Sequence, residues 1–66
     1  MEIKDKLIEL RKEKNMTQKQ VADLLLMSAT GYASWEQGLA EPSVNALKKL
    51  CKIYDISADY LLSLEN

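Results

Sequence analysis

The chain has 66 residues, enough for one small domain whose core must be packed efficiently. Its formal net charge is −1 and 47% of its residues are hydrophobic, so it is neither strongly basic nor too polar to fold. One cysteine and no histidine exclude an internal disulfide and a conventional zinc site, and leave no histidine base for catalysis. Apolar runs of about 18 residues and a signal sequence are also missing. We therefore expect a cytoplasmic protein that is not an enzyme and has no membrane span, cofactor or identifiable small-molecule ligand.

The first predicted helix runs from about Ile3 to Lys14. Its apolar residues Ile3, Leu7 and Leu10 recur at helical spacing, which predicts a stripe that packs into the core. Charged residues of both signs occupy other positions and are typical of a solvated face. Asn15 is expected to end the helix because asparagine tolerates the left-handed conformation of a C-cap residue.

The second predicted helix begins at Thr17, whose hydroxyl can accept a hydrogen bond from the first turn. Gln20, three residues later, can return a hydrogen bond to the amide of Thr17, which completes a capping box. Val21, Leu24 and Leu25 follow at three- and four-residue spacing, so we expect one apolar face.

The third predicted helix is capped by Ser28 and ends at Gly38, since glycine readily adopts the left-handed conformation that follows many helices. Tyr32 and Trp35 lie three residues apart, on a face that could pack inward.

A loop through Glu41 and Pro42 leads to two further predicted helices, because proline disfavours helical backbone at the residue before it. Ser43 and Ser57 are the expected N-caps. The inward-facing residues of the fourth helix are predicted to be Leu47, Leu50 and Tyr54. The fifth helix holds Tyr60, Leu61 and Leu64. Cys51 falls at core spacing, where a buried thiol is expected rather than a nucleophile.

The order and spacing of these segments resemble the helix-turn-helix family of phage repressors, Cro proteins and XRE-type regulators. The resemblance covers about residues 7–62, and the matching segments are LIELRKEKNMTQKQVADLL, the Ser28 cap, SWEQG, EPSVNALKKL and DISADYLL. It implies an all-α, lambda repressor-like bundle of five short helices, with a single domain over residues 1–66 and the motif at about 17–36. It also implies a sequence-specific transcriptional regulator, and we expect a repressor that binds a palindromic operator in double-stranded DNA as a homodimer.

Two other interpretations stay open. The scaffold could bind another protein, as an antirepressor or antitoxin would, through the uncharged face of residues 29–34. The chain could also be the DNA-binding head of a longer regulator.

Base contacts follow from the geometry of the motif if its second helix is the recognition helix, whose N-terminal residues and outer face reach the major groove. The predicted base contacts are Ala29, Thr30, Ala33 and Ser34. Relatives often carry long side chains at these positions, so the short ones predict modest readout through apolar contact, water and DNA shape. Alternatively, this face only avoids bulk and reads no sequence.

Phosphate contacts are expected at helix N-termini and nearby polar groups. By resemblance, the predicted set is Gln18 with the neighbouring Lys19, and Ser43 with Asn45. Relatives often carry lysine or arginine at two loop positions where this chain has Leu39 and Glu41. Together with a sequence pI of 5.3, this indicates no general basic surface.

Three more residue-level expectations concern the motif itself. Many relatives pair an arginine of the first helix with a glutamate of the recognition helix, so Arg11 and Glu36 are predicted to form a partly buried ion pair rather than two surface charges. Leu26 stands where the family usually has glycine, which indicates either a strained turn or one built differently, for example with the second helix extended by a residue. Three explanations for Gly31 stay open: close approach to DNA, close packing against the second helix, or a glycine that evolution tolerates without a role.

The last helix carries more apolar surface than its length requires, and adjacent leucines cannot both face one core. The predicted dimer contacts are Tyr60, Leu61, Leu62 and Leu64. For the aromatic residues of the chain we expect core or interface packing rather than base stacking.

Overall fold

A computed structural model describes residues 3–61 of the chain. Its helices are α1 (Ile3–Glu13), α2 (Gln18–Leu24), α3 (Ala29–Gln37), α4 (Val44–Tyr54) and α5 (Ala58–Leu61). No strand occurs among these described residues. The predicted all-α bundle of five short helices is confirmed.

Side-chain caps begin the helices as predicted. Thr17 Oγ1 accepts a hydrogen bond from the Gln20 amide at 3.1 Å, and Gln20 Oε1 accepts one from the Thr17 amide at 2.8 Å, which closes the capping box. The hydroxyls of Ser28, Ser43 and Ser57 each accept from the amide three residues later, at 3.0, 3.2 and 3.0 Å. Each cap satisfies a backbone donor that has no partner within its helix.

The first four helices all end with one left-handed residue and the longer hydrogen bond of a Schellman motif. The left-handed residues are Asn15 (φ 56°), Leu26 (φ 61°), Gly38 (φ 80°) and Asp55 (φ 55°). The amide after each of them donates to the carbonyl five residues earlier, over 2.9 to 3.1 Å. The predicted C-caps at Asn15 and Gly38 are confirmed.

The hydrophobic core draws on all five helices. Its buried residues are Leu7, Leu10, Val21, Ala22, Leu25, Tyr32, Leu50, Tyr54 and Leu61. Ile3, Trp35, Leu47 and Cys51 are partly buried against this cluster. The rings of Tyr32 and Trp35 meet edge to face, with centroids 5.8 Å apart, which confirms their packing inside the protein. No helix within the described part of the chain is long and apolar enough to cross a membrane.

The prediction that Leu24 lies on the inner face of α2 is wrong. Its side chain is 56% exposed, while Val21, Ala22 and Leu25 are buried. The small Ala22 allows close packing at its position, so the buried face of α2 is centred nearer to Ala22 and excludes Leu24.

Only two of the four predicted dimer contacts, Tyr60 and Leu61, lie within the described residues. Leu62 and Leu64 lie outside the described residues. Leu61 is only 1% exposed and packs in the core of its own chain, so its side chain is not available to a partner. Tyr60 is 46% exposed, and the Lys6 ammonium lies 4.4 Å from the centroid of its ring. Of the two expected settings for Tyr60, core or interface, its exposure excludes the core. Its contact in a dimer stays a prediction.

Candidate nucleic-acid interface

The helices α2 and α3 form a tightly joined pair. The turn between them is held by backbone hydrogen bonds from the Leu26 amide to the Asp23 carbonyl at 3.1 Å and from the Met27 amide to the Ala22 carbonyl at 3.0 Å. The Ser28 cap follows directly, and α3 then packs against both α2 and α1. This packing fixes which side of α3 faces the core and which side faces away.

The inner face of α3 is marked by Tyr32 and Glu36, which are 0% and 7% exposed. Helical spacing places the opposite face near Thr30, Ser34 and Gln37. Because this outer face carries no charge and little bulk, α3 can approach another molecular surface closely.

The four predicted base-contact residues differ in how available they are. Thr30 is exposed and Ala33 is half-buried at the edge of the outer face. Ala29 is partly buried against the core. The Ser34 hydroxyl donates to the Gly31 carbonyl at 2.6 Å, so its proton is engaged within α3 and only its lone pairs can serve a ligand. Thr30 keeps the most complete hydrogen-bonding capacity of this set.

Gln37 is a residue of the outer face that the sequence reasoning missed. It is exposed at the last position of α3, seven residues after Thr30 and so two turns along the same face. Among the outer-face residues it alone carries an amide, the group that can pair bidentately with adenine. Its helical spacing from Thr30 was a usable signal, but the predicted contact set covers only the first two turns of the helix.

The turn before α3 decides between the two alternatives for Leu26. Since α2 ends at Leu24, it is not extended through the turn, and Leu26 adopts the left-handed conformation at φ 61°. This backbone costs about 1 to 2 kcal/mol for a residue with a side chain. The Leu26 side chain is also 86% exposed, so burial does not offset the strain. The turn is therefore the strained one of the two possibilities.

Gly31 is in close contact with the turn. A Cβ atom at this position would lie 3.1 Å from Ser28 Oγ and 3.2 Å from Met27 Cε. Gly31 is thus closely packed, against side chains of the turn and the cap rather than against α2.

Arg11 and Glu36 form a two-pronged ion pair between α1 and α3. Arg11 Nε donates to Glu36 Oε2 at 2.8 Å and Arg11 Nη2 donates to Glu36 Oε1 at 3.1 Å. Gln18 Nε2 adds a third hydrogen bond to Glu36 Oε1 at 3.0 Å, and Arg11 Nη1 binds the Met16 carbonyl at 3.0 Å. The Glu36 side chain is only 4% exposed, so this network supplies the partners that its buried charge requires.

The network keeps Glu36 ionised. Burial alone would raise the pKa of the Glu36 carboxyl, but hydrogen bonds outweigh burial and lower this pKa below its ordinary value. We assign the lowering to Arg11 and Gln18, whose donors lie within hydrogen-bond distance. The hydroxyl of Tyr32 is also close to Glu36, but neither it nor that of Tyr54 has a well-aligned hydrogen-bond partner. Burial raises the pKa of both phenols, so they stay neutral.

The predicted phosphate contacts lie at the beginnings of α2 and α4. Gln18 is half-buried, and one hydrogen of its Nε2 group remains after the bond to Glu36. Lys19 reaches Asp23 at 3.3 Å, but this pair is exposed and holds the ammonium only weakly. In α4 the Ser43 hydroxyl caps the helix and Asn45 is exposed. No group of three metal-binding side chains is assembled anywhere in residues 3–61.

Comparison with known proteins places this geometry in a family. The sequence pattern described as "Helix-turn-helix" matches residues 7–61. The HTH-type transcriptional activator BcrR of Enterococcus faecalis is 42% identical over 65 residues, which cover 98% of this chain and 32% of that protein. The HTH-type transcriptional regulator AnsR of Bacillus subtilis is 43% identical over 61 residues, 92% of this chain and 53% of that protein. The chain thus spans between about a third and about half of these relatives.

A solved structure shows the same architecture over nearly the whole chain. The P22 c2 repressor protein, crystallised in complex with synthetic operator 9T, superposes with a TM-score of 0.88 at 25% identity, and the match covers 98% of both chains. The five-helix fold, the packed α2–α3 pair and the extent of the sequence match lead to one conclusion. The chain belongs to the helix-turn-helix family of phage repressors and XRE-type regulators.

Proposed function

We propose that this domain is a sequence-specific DNA-binding transcriptional regulator that acts in the cytoplasm as a repressor, bound as a homodimer to a palindromic operator. The observation that carries the proposal is the outer face of α3, which carries no charge and little bulk, while its inner face is anchored by Tyr32 and the Glu36 ion pair. An anchored helix with a small outer face can enter the major groove without rearrangement. A repressor of the same fold has been crystallised with its operator, which supports this reading.

Direct readout in this proposal rests mainly on two residues of α3. Thr30 offers a hydroxyl and a methyl group that suits a thymine methyl, and Gln37 offers an amide that suits adenine. Ala29, Ala33 and Ser34 stay in the proposed contact surface as apolar or accepting neighbours. The remaining discrimination would come from water and from DNA shape.

Phosphate contacts and dimerisation complete the proposal. Gln18 and Lys19 at the start of α2, with Ser43 and Asn45 at the start of α4, would position the domain on the backbone. For the dimer we retain Tyr60, together with Leu62 and Leu64 of the terminal segment. Two copies related by a two-fold axis would place their α3 helices about one DNA turn apart.

The experiment that tests this function is selection of bound fragments from a random duplex pool at moderate salt, followed by sequencing. We expect an enriched palindrome, because two recognition helices related by symmetry read the same half-site twice. The protein must be shown to be folded by its helical circular dichroism. Under that condition, a pool without enrichment would contradict specific DNA readout.

Variants of the outer face make the test residue-specific. Gln37→Ala should relax the preference at one base pair of each half-site, with a loss of about 1 to 3 kcal/mol of discrimination. Thr30→Ala should change the preference at a neighbouring position. Ser34→Ala should change the selected sequence least of the three, since its hydroxyl proton already serves the Gly31 carbonyl and it can only accept a hydrogen bond from DNA. The opposite ranking would overturn these base-contact assignments.

A second candidate function is a scaffold that binds another protein. It is favoured by the apolar side chains near α3 that reach solvent, since Leu26 is 86% and Leu39 is 77% exposed. Salt separates the two functions. DNA binding must weaken steeply as salt rises because counterions are released, whereas an apolar protein interface should change little.

A further inference from the structure

The side chain of Lys4 lies across the end of α3. Lys4 belongs to the first turn of α1, and its exposure is intermediate. A Cβ atom on Gly38 would lie 3.0 Å from Lys4 Cδ, 3.7 Å from Cε and 3.5 Å from Nζ. Gly38 thus has two roles, because it adopts the left-handed backbone at φ 80° and leaves the space through which the lysine stem passes. The result is an ammonium group beside the last turn of α3.

The ion pairs formed within residues 3–61 do not include this ammonium. Other cations of α1 have partners. Lys6 Nζ lies 3.8 Å from Glu9 Oε1 and also over the Tyr60 ring, and Arg11 forms the ion pair with Glu36. Within residues 3–61 no carboxylate lies within ion-pair distance of Lys4. The C-terminal end of a helix carries partial negative charge, which attracts a cation to this place without neutralising it fully.

The loop after α3 supplies no cation of its own. Residues 39–43 are Leu-Ala-Glu-Pro-Ser, so the only charge in this loop is the carboxylate of Glu41. Without Lys4, the C-terminal end of α3 and the loop after it would therefore present only negative charge to a DNA backbone. Because the net charge of the chain is −1, general attraction to a polyanion does not compensate for this deficit.

We infer that Lys4 binds a DNA phosphate next to the C-terminal end of α3, and so provides the cation that the loop lacks. The inference rests on the proposed DNA-binding function and deepens it. The stem of Lys4 is already held against Gly38, so ordering it on DNA should cost less conformational entropy than ordering a free surface lysine. The expected ligand is the phosphodiester backbone, which makes the contact independent of base sequence.

The test compares Lys4→Gln with Lys12→Gln, which removes the same charge from an exposed position in the last turn of the same helix. Affinity for the selected duplex and for an unrelated duplex is measured between about 50 and 200 mM salt. Lys4→Gln should reduce the slope of log affinity against log salt by about 0.9 and weaken binding about five- to tenfold near 0.1 M salt. It should do so equally for both duplexes. Lys4→Arg should keep the parent slope, and Lys12→Gln should change it little.

Two results would overturn the inference while the proposed function stands. The first is a parent slope in Lys4→Gln accompanied only by a lower melting temperature, which would mean that Lys4 merely covers the end of α3. The second is an equal loss of slope in Lys12→Gln, which would mean that any positive charge on α1 acts through the general field. A folded parent protein that binds neither duplex would instead overturn the proposed function, and the Lys4 contact with it.

Discussion

The two ends of α3 are held by different interactions. At the C-terminal end, the buried carboxylate of Glu36 receives three hydrogen bonds from residues of α1 and α2, and the helix closes on a glycine. At the N-terminal end, the helix follows a turn in which Leu26 adopts a left-handed backbone with its side chain in solvent. The C-terminal end depends on contacts between distant parts of the chain, whereas the N-terminal end depends on local hydrogen bonds that tolerate a strained residue. Substitutions at the two ends should therefore have opposite effects on stability.

The largest effect is expected at the C-terminal end, from Arg11→Ala. Removing the guanidinium leaves the Glu36 carboxylate, only 4% exposed, with Gln18 as its remaining well-aligned donor. We expect a loss of about 3 to 5 kcal/mol in the free energy of unfolding, as for other buried pairs that lose one partner. Urea denaturation followed by circular dichroism measures it.

Lys12→Ala is the control for that prediction, because Lys12 is the exposed neighbour on the same helix. It should change stability by no more than about 0.5 kcal/mol. Equal stability of Arg11→Ala and the parent protein would show that the ion pair does not anchor α3. In that case the C-terminal end would not depend on contacts between distant parts of the chain.

Lowering the pH should reversibly weaken the interactions that hold the C-terminal end of α3. The pKa of Glu36 is lower in the folded protein than its ordinary value, because hydrogen bonds from Arg11 and Gln18 outweigh burial. Its contribution to stability is therefore complete above the ordinary carboxyl range near 4.5 and is lost as the pH falls through the lower folded pKa. Other carboxylates also titrate there, so the useful quantity is the difference between the parent and Glu36→Gln. The stability of the parent should fall more steeply with acid, and parallel curves would refute the assignment.

The features at the two ends of α3 also differ in whether they could be predicted from the sequence. Capping boxes and left-handed C-caps depend on residues within one turn, so Thr17, Ser28 and Gly38 could be assigned from local chemistry. The register of α2 could not, because the burial of Ala22 in place of Leu24 depends on how closely neighbouring helices approach.

Contacts across the fold were predictable only where the family resemblance supplied a partner. The resemblance named both Arg11 and Glu36, but nothing local linked Gln18 to the same carboxylate. The Lys4 side chain reaches Gly38 over 34 positions of sequence, and its path exists only because the helices pack as they do. Gln37 is different, since its helical spacing from Thr30 places it on the outer face from the sequence alone.

The smallest effect, of opposite sign, is expected at the N-terminal end from Leu26→Gly. Glycine relieves about 1 to 2 kcal/mol of left-handed strain but adds about 0.5 to 1 kcal/mol of backbone entropy in the unfolded chain. Since the Leu26 side chain is 86% exposed, its removal sacrifices little buried area. The net expectation is a stabilisation of about 0.5 to 1 kcal/mol, measured by urea denaturation.

The reciprocal variant Gly38→Leu replaces a glycine by a leucine at the left-handed position that ends α3. It should destabilise the protein by at least about 1 to 2 kcal/mol, because it introduces the strain that Leu26 now bears and drives a side chain into the Lys4 stem. Loss of stability in Leu26→Gly would mean that the exposed leucine makes a contact that offsets its backbone strain. If Leu26→Gly instead stabilises the fold but weakens binding to DNA or to a protein partner, the strained leucine serves recognition. In that case the turn before α3 belongs to the binding surface. The backbone strain of Leu26 would then serve recognition, whereas the ion pair at the other end of α3 serves stability.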